Sequence, residues 1–128
     1  MKGLRVLIVD DEEGFREALA ARLQFRNLPS DTATGGPEAL EFLEKQVEPD
    51  VMVLDLRLPG MDGLEVLRQT KTAYPDLEVI ILTGYGTTAV EAEARKLGAF
   101  DYLQKPVTID LLAEKIMSAY RRKLERTR

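Results

Sequence analysis

The chain has 128 residues, 45% of them apolar, and a formal net charge of −4. That size supports one hydrophobic core, and the charge gives no general attraction to nucleic acid. There is no cysteine and no histidine, which excludes disulfides, thiolate or imidazole metal sites, Ser/His and Cys/His nucleophile pairs, and a phosphohistidine on this chain. No apolar run approaches ~18 residues and the first residues lack a basic-then-apolar order, so the sequence predicts a cytoplasmic protein with no membrane contact.

The first apolar run, Leu4 to Val9, has strand length and ends at Asp10-Asp11. Phe15, Leu19 and Leu23 follow at helical spacing, with Asn27 as the stop. Ser30 to Ala33 reads as a weaker strand at a sheet edge, since it is polar and is followed by Gly35-Gly36-Pro37. Ala39, Leu40 and Leu43 then mark a second helix.

Val51 to Leu54 is a buried strand ending at Asp55. Leu64 and Leu67 carry the third helix, stopped by Pro75. Val79 to Leu82 is the next strand and delivers Thr83. The segment from Thr87 to Leu97 has only Val90 and Leu97 as large aliphatics, which predicts the most loosely held helix, with Gly98 as its stop. Ala99 to Leu103 is the fifth strand, followed by Lys105-Pro106, and Ile109, Leu112, Ile116 and Tyr120 form the last helix.

The pattern is βα five times over. Each return to a parallel strand needs a crossover helix, and right-handed crossovers place helices on both faces. The fold class is therefore α/β, a doubly wound parallel five-stranded sheet, with residues 1–128 as one domain and a linker starting near 121–128. The basic residues Arg121, Arg122, Lys123, Arg126 and Arg128 read as a solvated helix end that complements the helix dipole, rather than a nucleic-acid contact.

In such a sheet the polar residues that end the strands meet at one edge, where open α/β sheets bind ligands. Asp10, Asp11 and Asp55 at ~4 Å would repel by roughly 4 kcal/mol per pair at an effective dielectric near 20, so they call for a cation. Oxygen donors favour a hard ion. Mg²⁺ suits them better than Ca²⁺, because no EF-hand spacing is present. Asp55 stands alone at the end of a central strand and is the better nucleophile, while Lys105 and Thr83 could neutralise and bond phosphoryl oxygens. Taken singly, an Asp after a strand is a helix cap, Lys-Pro a turn, and Thr83 before Gly84 a loop hydroxyl. Their coincidence at the ends of strands one, three, four and five carries the functional reading.

The segments VLIVDD (Val6 to Asp11), VLDLRLPGMDG (Val53 to Gly63), ILTG (Ile81 to Gly84) and AFDYLQKP (Ala99 to Pro106) resemble the receiver domain of two-component response regulators, and the resemblance spans essentially the whole chain. It implies strand order 2-1-3-4-5 in a flavodoxin-like fold. It also implies that Asp55 is phosphorylated from the phosphohistidine of a sensor histidine kinase or phosphotransfer protein. Mg²⁺ would be bound by Asp11, Asp55 and the backbone carbonyl of Arg57, with Asp10 acting through water. Lys105 would pair with the phosphoryl group, Thr83 would move to bond it, Tyr102 would be the switch aromatic that turns inward, and Lys105-Pro106 would be cis.

By the same resemblance Arg57 and Tyr85 flank the path of hydrolytic water, and the bulk of Tyr85 is expected to slow self-dephosphorylation. The fourth helix, fifth strand and fifth helix would form the surface that changes and meets an output partner, a fused DNA-binding output domain or a second copy. The chain would be a stand-alone regulator or the receiver of a longer transcription regulator, and the TGYG stretch slightly favours the latter. It would be a phosphoacceptor switch rather than an enzyme.

Three other readings are weaker. A haloacid dehalogenase-type phosphatase needs a second Asp where this chain has Arg57. A flavodoxin-like nucleotide binder needs a glycine- or hydroxyl-rich loop where this chain has Asp10-Asp11-Glu12-Glu13. A receiver-like binding module that never accepts phosphate is disfavoured by the completeness of the site set.

Overall fold

A computed structural model describes residues 3–45 and 48–127. Strand and helix alternate in the order β1 (Val6–Val9), α1 (Glu13–Gln24), β2 (Ser30–Ala33), α2 (Gly36–Lys45), β3 (Val51–Leu54), α3 (Gly63–Ala73), β4 (Glu78–Thr83), α4 (Thr88–Lys96), β5 (Asp101–Gln104) and α5 (Ile109–Thr127). All pairings are parallel and the sheet order is β2-β1-β3-β4-β5, as expected. The chain steps outward from β1 to the β2 edge and then returns past β1 to build the other half. That reversal opens a crevice where β1 and β3 end.

The period of two along each strand produces the layers. Leu7, Val9, Met52, Leu54, Val79 and Ile81 face one side, where they pack with Ala39, Leu43, Val66, Leu67 and Ala94 from α2, α3 and α4. Val6, Ile8, Val51, Val53, Ile80 and Leu82 face the other, against Leu19 and Leu23 of α1 and Leu112, Ile116 and Ala119 of α5. Burial on both faces makes β1, β3 and β4 buried at every position. Each such Leu, Ile or Val stabilises the fold by roughly 1.5–3 kcal/mol relative to exposure.

Element ends differ from the sequence expectation where side chains intervene. The first strand starts at Val6 rather than Leu4, and the Asp50 carboxylate accepts the Arg5 N–H at 2.8 Å just before it. The fifth strand starts at Asp101 rather than Ala99, because the Ala99 N–H is still bonded to Ala94 of the preceding helix. It is also a half-exposed edge rather than a buried strand. Asn27 (φ 61°) and Gly98 (φ 106°) end α1 and α4 in left-handed conformations. Helix α4 has a single buried residue, Ala94, whereas every other helix has three or four.

The basic end of α5 is not simply solvated. Lys123 pairs with Asp50, and Arg122 and Arg126 lie 3.4 and 3.3 Å from Glu78, whose side chain is fully buried. Lys71 stands 3.8 Å from the same carboxylate. A buried carboxylate is tolerated only with cations close by, so these residues bolt the helix to the lower rim of the sheet. The helix runs unbroken through residues 121–127, where a linker was expected to start. Arg128 lies outside the described residues.

Candidate functional site

The backbone bonds of the sheet continue one residue past three strand exits and fix the site. Asp10 N–H donates to Ala33 O at 3.1 Å and Asp55 N–H to Val9 O at 3.0 Å; Lys105 N–H donates to Thr83 O at 2.9 Å. Asp10 and Asp55 are buried at 2% and 5% exposure, and Asp11 is exposed. One oxygen from each of the three carboxylates lies within 4.8 Å of the others.

The Lys105 ammonium bridges the two buried members, donating to Asp10 Oδ2 at 2.8 Å and Asp55 Oδ2 at 3.1 Å. It also lies 4.1 Å from the centre of the Phe15 ring. The other oxygens accept from backbone: Asp10 Oδ1 from Glu12 N–H at 2.9 Å, and Asp55 Oδ1 from Arg57 N–H at 3.2 Å. Burial pushes the Asp10 carboxyl above its ordinary value, despite the bond from Lys105. Burial opposes the charge of Lys105 too, yet its two carboxylate partners hold it above the usual lysine range. Two buried carboxylates thus share one ammonium, with the third carboxylate, Asp11, close by and exposed.

Thr83 is fully buried, and its hydroxyl accepts the Tyr85 N–H at 3.3 Å. Tyr85 is 64% exposed, and the Arg57 guanidinium stacks 4.1 Å above its ring. The pair borders an open cavity of about 420 Å³ that also exposes Asp11, Asp55 and Lys105. Tyr102 is half-buried; its hydroxyl is buried with no hydrogen-bond partner among the described residues, and desolvation pushes the phenol upward. The Lys105-Pro106 bond is cis.

Sequence reading missed several supporting residues. Phe15 reads as an ordinary helix core position, yet it flanks the Lys105 ammonium. Arg16 is buried and donates to the Asp10 carbonyl at 3.0 Å. Gly63 sits so close to the loop after Asp55 that a Cβ would fall 2.4 Å from Leu56 Cα and 2.8 Å from Asp55 O. Only glycine admits that approach, and Asp62 caps the helix by accepting the Leu64 N–H at 3.1 Å. The Asp-Gly pair before a helical pattern was the available signal.

Comparison with known proteins agrees with this geometry. The sequence profile of the response regulator receiver domain matches residues 6–117. The chain is 37% identical over 119 residues to "Response regulator MprA" of Mycobacterium leprae (strain TN), covering 93% of this chain and 52% of MprA. It is 42% identical over 118 residues to the "DNA-binding transcriptional regulator NtrC" of Escherichia coli (strain K12), covering 90% of this chain and 25% of NtrC. Among solved structures, a "response regulator receiver domain protein (CheY-like)" from Methanospirillum hungatei JF-1 superimposes with a TM-score of 0.93 at 27% identity, covering 98% of this chain and 99% of that one.

The chain therefore belongs to the response regulator receiver domain family, the phosphorylation-dependent signalling switches of two-component systems. It spans about half the length of MprA and a quarter of that of NtrC.

The raised Asp10 carboxyl fixes the sign of a pH effect. Folded Asp10 binds its proton more tightly than the unfolded chain does at the ordinary value of 3.8, so this group's contribution to stability is greatest at low pH and is lost as pH rises through the folded value. At neutral pH its charge is a standing cost. In chelator-treated buffer at pH 7, Asp10→Asn is expected to raise the urea midpoint, by on the order of 1 kcal/mol of stability. That gain should shrink as pH falls towards the unfolded value, and a less stable variant at pH 7 would contradict the assignment.

Proposed function

We propose that Asp55 accepts a phosphoryl group from the phosphohistidine of a sensor histidine kinase or phosphotransfer protein, and that residues 1–128 act as one cytoplasmic receiver unit. The observation that carries this reading is the Lys105 bridge. A single ammonium that lines an open cavity together with Asp55 also holds Asp10 behind it, so the acceptor is both presented and electrostatically prepared.

In the transfer, an Asp55 carboxylate oxygen attacks phosphorus in line with the donor nitrogen. A P–O bond forms as the P–N bond breaks, and the electron pair leaves with the imidazole. Lys105 can shift from the carboxylates to a phosphoryl oxygen, and the Thr83 hydroxyl can exchange the Tyr85 N–H for another. Asp11 and Asp55 with the Arg57 carbonyl, and Asp10 indirectly, would hold Mg²⁺; their hard oxygen donors and mutual proximity suit it. When bound, that ion supplies positive charge against the phosphoryl oxygens.

The surface of α4, β5 and α5 is the proposed output, meeting a downstream protein, a fused output domain or a second copy. The likeness to NtrC favours a place within a longer transcription regulator. Arg57 in place of a second motif Asp argues against the phosphatase reading. A receiver-like module that binds partners without phosphate remains the alternative against which the acceptor is tested.

Intact mass after incubation with acetyl phosphate is the direct test. One added phosphoryl mass is expected in wild type with Mg²⁺, and none in Asp55→Asn or with chelator. No adduct under any condition would leave the phosphate-independent binding module as the better reading.

Arg57 and Tyr85, stacked beside the acceptor, are proposed to shield the acyl phosphate from water. Decay of phosphorylated Tyr85→Ala should be severalfold faster than that of wild type, followed by loss of the mass adduct. An unchanged rate would remove the shielding role.

A further inference from the structure

The loop between β4 and α4 contains a glycine that backbone geometry does not require. Gly86 does not lie in the left-handed region, unlike Gly60 and Gly98. What marks it is space: a Cβ built there would lie 1.3 Å from the Tyr102 hydroxyl oxygen, 2.6 Å from Cζ and 3.2 Å from Cε1. The three nearest atoms all belong to one side chain.

The same hydroxyl is buried and has no hydrogen-bond partner among the described residues, so none of their polar groups holds the phenol where it is. Burying an unpaired hydroxyl opposes folding, and the ring is held by its packing against the core cluster that Val90 and Leu97 of this end also border. The seat it occupies is the volume a side chain at position 86 would fill. Meanwhile the Thr83 hydroxyl is still bonded to the Tyr85 N–H, so the ring is seated while the threonine points to its own loop.

We infer that Gly86 sets the resting position of Tyr102: the absence of a side chain at 86 seats the phenol beneath the β4–α4 loop before any phosphoryl group arrives. This rests on the proposed switch for its functional meaning and revises one expectation of it, that Tyr102 turns inward only when Thr83 moves. It assigns the phosphorylation response of this face to residues 84–87 rearranging over a hydroxyl already buried, rather than to a tyrosine swinging in from solvent. A partner reading the α4–β5–α5 face would then sense loop position and not the ring.

The test is tyrosine accessibility in the unphosphorylated full chain, from acetylation with N-acetylimidazole mapped by peptide mass, with exposed Tyr85 as internal reference. Tyr102 should react about tenfold more slowly than Tyr85 in wild type, and within about twofold of it in Gly86→Ala, where the added methyl expels the ring. Equal reactivity in wild type, or protection that survives in Gly86→Ala, would overturn the inference. If Gly86→Ala does not fold, Gly86→Ala combined with Tyr102→Leu should recover the cooperative melt of Tyr102→Leu alone. Failure to recover would show that the glycine serves something other than the ring, and would also overturn it. No phosphoryl donor is present, so the outcome is independent of whether Asp55 is the acceptor.

Discussion

The Lys105 ammonium is the constraint on which the site depends. It lies within hydrogen-bond distance of two buried carboxylates that belong to different strands, and it reaches them from the far end of β5, where its own N–H is tied to Thr83 O. Three strand exits are thereby joined through one cation. Without it, Asp10 and Asp55 would face each other in a setting where two like charges cost several kcal/mol. With it, the cluster still carries excess negative charge: burial pushes the Asp10 carboxyl upward, and the two carboxylates hold Lys105 above the usual lysine range. That remaining charge is what the proposed Mg²⁺ and phosphoryl group would meet.

The opposite rim of the sheet solves a related problem in the other direction. Glu78 opens β4, whose last residue is Thr83, and its buried carboxylate draws Lys71, Arg122 and Arg126 around it. The upper end of this strand thus holds the hydroxyl of the site, and the lower end anchors the last turns of α5. Helix α4 is tied to its neighbours by one shared carboxylate, Asp101 of β5, which pairs with Arg95 of α4 at 3.1 Å and Lys115 of α5 at 2.9 Å. It is capped by Thr87, which accepts the Val90 N–H at 3.1 Å, but it contributes only Ala94 to the fully buried core. A helix with so little buried side chain can shift at small free-energy cost, as the proposed output surface requires.

Much of this was legible in the chain. Strands such as Val51 to Leu54 are buried on both faces and read as unbroken apolar runs, and the carboxyl-edge logic then placed Asp10, Asp55, Thr83 and Lys105 together. What stayed hidden depends on tertiary contact. Glu78 looks like a surface residue until α5 folds back on it, and Arg16 gives no sequence sign that it will bond the Asp10 carbonyl. The start of β5 was misplaced because Ala99 is claimed by the exit of α4. Gly86 reads as one glycine in a loop, and only its distance to Tyr102 shows what it leaves room for.

In the proposed switch, Lys105 and a metal ion satisfy the same carboxylate charge. Calorimetric titration of Mg²⁺ into wild type and Lys105→Met tests it most directly. If the ammonium competes for that charge, its removal should tighten Mg²⁺ binding by about tenfold, a change of ~1.4 kcal/mol. Equal or weaker binding in Lys105→Met would contradict the account, since the acidic cluster would then hold the ion independently of the lysine that bridges it.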